Sequence, residues 1–250
     1  MTNFYGDNLR WYMGDIVSVS DPLQLGRVRV RIFGVHDNEE ILDEVLPWAQ
    51  VCIPVTEGGT GGSGSNLGLQ IGARVFGFFM DGKDSQSPLV LGSIPKYETE
   101  SGGGRSTDLR ARGGDDGKNS ITKTPTTEIG EPDDPYNAVY PNNSVHRTKS
   151  GHIIELDDTE NHERILFYHK DGSFVEFHPD GDIVTQHKNG FRTVTGNDKV
   201  YITGNLEITV KGDMKVTVDG NVTEDFRKNQ TTSVSNDVVV TTSSGKIHLN

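Results

Sequence analysis

The sequence predicts an all-β protein in which an N-terminal barrel is joined through a linker and a short β-meander to a C-terminal β-helix. Three observations predict it. Short apolar runs are separated by turn sequences such as Asp21-Pro22, Asp81-Gly82 and Pro179 to Gly181. Glycine is abundant, with 30 in 250 residues, and only 32% of residues are hydrophobic, which suits thin, turn-rich modules better than one thick core. From Thr193 to Val222 the chain then repeats with a period of eight.

Residues 1–95 read as the first module. Apolar runs at Trp11–Val19, Gly26–Val35, Leu46–Val55, Ala73–Met80 and Leu89–Ile94 give five strands in under ninety residues, the size of a small closed barrel of the OB type. In Arg27-Val28-Arg29-Val30-Arg31-Ile32 arginine alternates with apolar residues, so one strand face is dry and the other wet. Residues 96–144 change character, with Gly, Pro, Ser and charge dominating and no sustained period, and read as an extended linker. Residues 145–190 form a β-meander neck, with strands expected at His152–Leu156, Glu163–His169, Ser173–His178 and Asp182–His187.

Residues 191–250 form the repeat. Glycines fall at Gly196, Gly204, Gly212 and Gly220, and two residues before each stands Val194, Ile202, Val210 or Val218. Of the fifteen even positions from 194 to 222 only Asp198 is neither apolar nor glycine, while the odd positions are polar apart from Tyr201. Such alternation predicts strand with one dry face, and a glycine every eighth residue predicts a bend or a close backbone approach. A single copy cannot sustain that interior. Each buried apolar side chain contributes roughly 1.5–3 kcal/mol, but fixing each backbone residue costs about 1–2 kcal/mol and large apolar residues fill only a third of the positions. An octad reaches about 26 Å when extended, enough for one side of a prism and its corner. Several chains, each supplying one side per level, would close it. Beyond Gly220 the inward row continues as Phe226, Val234 and Thr242, but Lys228, Asn236 and Ser244 replace glycine and the repeat decays.

These octads resemble the Val-Gly repeat of phage central spike proteins and of the related valine-glycine repeat spikes of type VI secretion. The barrel resembles the OB-fold domain of the same family through Asp21-Pro22-Leu23-Gln24-Leu25-Gly26-Arg27-Val28-Arg29-Val30-Arg31, Leu46-Pro47-Trp48-Ala49, Gly72-Ala73-Arg74-Val75-Phe76-Gly77-Phe78-Phe79 and Val90-Leu91-Gly92. Ser150-Gly151-His152, Glu155 to Thr159, Glu163-Arg164-Ile165 and His169 to Ser173 look like the neck by which family members enter the needle. The resemblance implies a homotrimer with an intertwined triangular β-helix, valines inward and glycines at the corners. It also implies an OB-fold barrel docked on a baseplate hub protein. Some phage spikes carry a lysozyme domain between barrel and needle. About fifty low-complexity residues cannot bury such a core, so the expectation is no enzyme.

Composition and motifs bound the other function classes. A formal charge of −12 disfavours nucleic acid or anionic membranes as charge-attracted partners. Arg27, Arg29, Arg31, Trp48 and Phe76 are read as strand-face and contact residues rather than a single-strand-binding groove. The loop Gly58 to Ser65 lacks the Gly-Lys-Ser/Thr ending of a phosphate cradle and reads as a hairpin tip. Cys52, the only cysteine, reads as a core residue. No signal peptide or membrane span is expected.

No catalytic or cofactor-binding residue is assigned and no cofactor is expected, although ions threaded inside a needle are left open. His152, His162, His169, His178 and His187 stand near Asp157, Asp158 and Glu160 without metal-ligand spacing, and are read as solvated turn and strand faces. Some relatives end in His-x-His and bind iron at the apex. Here Lys246-Ile247-His248-Leu249-Asn250 offers His248 alone, a candidate on a trimer axis to which the iron site is not carried over. A blunt apolar end implies a capping partner such as a PAAR-type tip protein. The expected role is the central spike of a contractile phage tail baseplate in the virion, assembled in the host cytoplasm, which punctures the host outer envelope during genome ejection. The alternatives are a type VI or related injection spike, or a tail-associated hydrolase.

Overall fold

The structure, a computed structural model, describes residues 9–36, 41–60, 68–95, 130, 132–139 and 141–247. It is all-β. Among the described residues there are ten strands, two short 3-10 turns and no helix long and apolar enough to cross a membrane. The chain divides into two compact units, residues 1–191 and 192–250. Most of the stretch 96–144 lies outside the described residues, as do residues 61–67 of the glycine-rich loop and His248.

Five strands close the barrel in the order β1-β2-β3-β5-β4: β1 (Arg10–Ser18), β2 (Val28–Ile32), β3 (Trp48–Val51), β4 (Arg74–Phe79) and β5 (Pro88–Ile94). All neighbours run antiparallel except β3 and β5, which are parallel. Alternation fixes which side chains enter the barrel. Val28, Val30 and Ile32 point in while Arg29 and Arg31 stay half-exposed, and Tyr12, Ile16, Ala49, Val75, Phe79 and Val90 complete the core. Gly77 lies where the β4–β5 pairing shifts register, and a Cβ there would overlap the Leu89 carbonyl oxygen, so only glycine lets the two strands approach. Cys52 is exposed rather than in the core, because it follows β3 and its backbone N–H donates to the Val90 carbonyl at the end of the ladder.

A second sheet is a simple meander, β6 (Asn143–Arg147), β7 (Ile153–Asp157), β8 (Arg164–Tyr168), β9 (Phe174–Phe177) and β10 (Ile183–Gln186). Four of these strands match the expected ones within a few residues. The first, β6, is an addition: Asn-Ser-Val-His-Arg has almost no apolar alternation and is held as an edge strand by its pairing with β7. Gly172 and Gly181, with φ of 93° and 87°, make the turns that join β8 to β9 and β9 to β10.

Candidate functional site: the octad repeat and the neck sheet

Residues 192–247 form no hydrogen-bonded strand ladder within one chain, and every described residue there is exposed. The period of eight is nevertheless built into the backbone. The chain bends at 195–196, 203–204, 211–212, 219–220, 227–228, 235–236 and 243–245. The last three bends fall where glycine has been replaced or displaced, so the bend outlasts the glycine. None of the glycines at 196, 204, 212 and 220 has a positive φ, and a Cβ added to any of them would meet nothing within 4 Å. Among the described residues nothing calls for glycine there.

Side-chain exposure follows the same period. Val194, Ile202, Val210 and Val218 are 45–49% exposed, whereas intervening residues of the dry row such as Val200, Met214 and Val216 reach 68–72%. The predicted repeat residues therefore form one distinct row, partly sheltered by the bends and otherwise open. A residue type missed by the sequence reading stands just after the first six bends: Asn197, Asn205, Asp213, Asn221, Asn229 and Asp237. Short amide and carboxylate side chains hydrogen-bond to nearby backbone in turns, which accounts for the preference. The signal was present in the sequence at the same period as the glycines.

In the neck, the register places Ile154 beside Phe167 and Val175, and Leu156 beside Ile165, Phe177 and Ile183, all on one sheet face. That face is open: Ile154, Leu156 and Phe167 are each 45–47% exposed. The opposite face is buried and carries the charges. Arg164 on β8 reaches Glu155 Oε1 at 2.5 Å and Asp157 Oδ2 at 3.4 Å on β7, and Glu176 Oε1 at 3.3 Å on β9, with all four side chains excluded from solvent. Asn143 Nδ2 of β6 donates to Glu155 Oε1 at 3.0 Å, His178 Nε2 lies 3.3 Å from Glu176 Oε2, and the Tyr136 ring covers the guanidinium at 4.7 Å. Asp157 and His178, expected on solvated surfaces, are thus buried. His152 and His169 stack with ring centroids 4.5 Å apart, and among the described residues no group of three or more His, Cys, Asp or Glu is placed to hold a metal ion.

The barrel arginines are engaged internally. Arg27 makes a bidentate pair with Asp21, with Nη2 to Oδ1 at 2.7 Å and Nε to Oδ2 at 3.1 Å, and the same carboxylate accepts the backbone N–H groups of Leu23 and Leu25. Asp21 is thereby held well below the usual carboxylate range, chiefly by Arg27. Arg31 pairs with Asp43, and Arg29 stacks on the Trp48 ring at 4.5 Å. A different surface stays open on the outside of β1, where Trp11 and Met13 are 59% and 50% exposed, with the Phe78 ring edge-on to Trp11.

Comparison with known proteins agrees with this arrangement. The family model of the Gp5 C-terminal repeat matches three copies over residues 204–227. Protein Gp5 of Vibrio phage KVP40 is 30% identical over 261 residues, covering 78% of this chain and 62% of that protein. The pre-baseplate central spike protein Gp5 of Enterobacteria phage T4 is 39% identical over 95 residues, covering 35% of this chain and 16% of that protein. The chain thus spans less than two thirds of the relatives it matches. The expectation that the protein is not an enzyme is corrected on this ground. These residues match only part of those proteins, and what they hold says nothing about the activity of the whole. Shared octads and a match that extends well beyond them make this chain a homologue of the phage baseplate central spike proteins of the Gp5 type.

Proposed function

We propose that this chain is the central spike subunit of a contractile phage tail, situated in the virion's baseplate, and that three copies close its octad repeat into a needle. The observation that carries the reading is the open apolar row Val194, Ile202, Val210 and Val218, with empty space above each glycine of the repeat. A soluble chain does not leave such a row in water, and a second and third strand would fill both the row and the space. The open neck face of Ile154, Leu156, Phe167 and Phe177 supports the same assembly just before the repeat begins.

In this reading residues 1–95 dock the spike, 96–144 link, 145–190 form the neck and 191–250 form an intertwined trimeric β-helix. The strand order β1-β2-β3-β5-β4 supports an OB fold, and the exposed Trp11 and Met13 offer the aromatic and flexible apolar contacts typical of docking surfaces for a hub protein. The needle, capped by a PAAR-type tip protein, pierces the host outer envelope during genome ejection. Interchain hydrogen bonds around a dry prism must fail together, so the needle unfolds slowly under load. The test is mass by light scattering on the full chain, with and without SDS at room temperature. A species of three times the chain mass that persists in SDS is expected, and a folded, soluble single copy at micromolar concentration would overturn the reading.

A further inference from the structure

The open face of the neck sheet changes character along its strands. One end holds Leu156, Ile165, Phe177 and Ile183. The next row on that face is His146, Ile154, Phe167, Val175 and Thr185. Two residues beyond that row, on the same face by alternation, stand His152, His169 and His187. The last two rows line one cavity of about 680 Å³, so four imidazoles and an apolar surface share its wall.

The rings are held in place. His152 Nδ1 accepts the Lys170 backbone N–H at 3.4 Å, and His169 Nδ1 accepts that of Asp171 at 3.3 Å. These bonds keep each ring proton on Nε2, so neither ring offers a free lone pair to a metal ion. A Cβ on Gly190 would come within 2.5 Å of His187 Nε2, so the glycine makes room for that ring. The charged neighbours in the adjoining turns and just past β10 are Lys149, Lys170, Asp171 and Lys188. Asp171 Oδ2 lies 3.7 Å from His169 Nδ1, but Lys170 Nζ already engages Oδ1 at 2.6 Å. Among the described residues, no strand position on this face holds a carboxylate.

A neutral imidazole can be covered by a neighbouring copy at little cost. A protonated one must give up its water against an apolar surface and lie beside other cations. Histidine is the side chain that changes charge between about pH 8 and about pH 5. In His152 and His169 the second proton enters at Nδ1 and displaces the backbone N–H, so charging them also loosens the turn between β8 and β9.

We infer that the open neck face is a pH-sensitive interface with a second copy of this chain. At neutral pH the faces join over Ile154, Leu156 and Phe167, and as pH falls the charged His146, His152, His169 and His187 drive them apart. The inference rests on the trimer reading, since the chain passes between Gln186 and Arg192 from β10 into the repeat that other copies close. It adds a condition under which the neck opens while the needle holds.

The test is hydroxyl-radical footprinting of the full chain at about pH 7.5 and about pH 5, on either side of the imidazole range, with mass by light scattering at both. Phe167 is 47% exposed in one copy. It is expected to be protected at the higher pH and labelled several-fold more at the lower, in a particle that keeps the trimer mass. The combined His146→Gln, His152→Gln, His169→Gln and His187→Gln should stay protected at both. If that variant does not assemble, His152→Gln with His169→Gln takes its place and should be labelled less than the parent at the lower pH. A parent protected equally at both, or a variant labelled as strongly as the parent at the lower pH, overturns the pH sensitivity and leaves the trimer standing. A parent trimer labelled strongly at both overturns the neck interface. Loss of the trimer mass at the lower pH alone means that the needle itself responds, and overturns a response confined to the neck. A parent of single-copy mass at both overturns the trimer reading, and the inference falls with it.

Discussion

Asp21 shows how much one carboxylate organises in the barrel. It follows β1, and its two oxygens accept from the Leu23, Leu25 and Arg27 backbone N–H groups and from the Arg27 guanidinium, which ties the β1–β2 connection into a knot. The turn needs this tie because Gln24 adopts a φ of 54°, a conformation that costs a non-glycine residue energy. Since the folded pKa of Asp21 lies below its unfolded value, its stabilising contribution is complete above the ordinary carboxylate range and is lost as pH falls through the folded value. Asp21→Asn should therefore lower the barrel's melting temperature at pH 7. The gap between parent and variant should narrow in melts taken progressively below pH 4, because the parent then loses what the variant lacks. The segment from Asp21 to Arg31 was legible as a family resemblance. Its chemistry was not, because a carboxylate six residues from an arginine announces a pair only once the backbone between them folds back.

At the scale of elements, β1 and β4 were legible as apolar runs bounded by turn sequences, and β2 because it has one apolar and one polar face with the polar one left in water. The neck sheet breaks that rule. Alternation reveals that β7, β8 and β9 have two faces, but not which face the fold covers. Here the face of Glu155, Asp157, Arg164 and Glu176 is buried and that of Ile154, Leu156 and Phe167 is open. A chain that expects partners can leave its apolar face for them and bury charge against itself. The guanidinium of Arg164 bridges carboxylates on both adjacent strands, so it fixes their register as well as balancing their charge. Replacing it with methionine leaves those carboxylates desolvated and without their cation, which should cost about 3–5 kcal/mol in chemical denaturation of the full chain. Adding Glu155→Gln, Asp157→Asn and Glu176→Gln to Arg164→Met should recover part of that loss, since neutral side chains need no counter-charge. A quadruple variant less stable than Arg164→Met would mean that the carboxylates hold the sheet by themselves.

For the whole molecule, two periods coexist in the repeat, and they make different demands. The period of two divides the dry row from the wet row. The period of eight places the bends, the glycines, the sheltered row and the Asn or Asp after the first six bends. A long flat sheet needs only the first, whereas a prism of stacked sides needs both, because a corner out of phase leaves one side too long and the next too short. Deletions separate the two demands. Removing residues 229–236 takes out one whole octad and leaves the bend at 243–245 one octad, instead of two, beyond the one at 227–228. Removing residues 229–232 preserves odd and even but moves Val234 and every later bend by half an octad. The eight-residue deletion is expected to give an SDS-resistant assembly that is one level shorter and melts only slightly below the parent. The four-residue deletion should lose SDS resistance or fray from residue 228 onward, read by hydrogen exchange of the C-terminal amides. Equal tolerance of both deletions would mean that alternation alone builds the assembly, and the corners, with the glycines that mark them, would have no structural role.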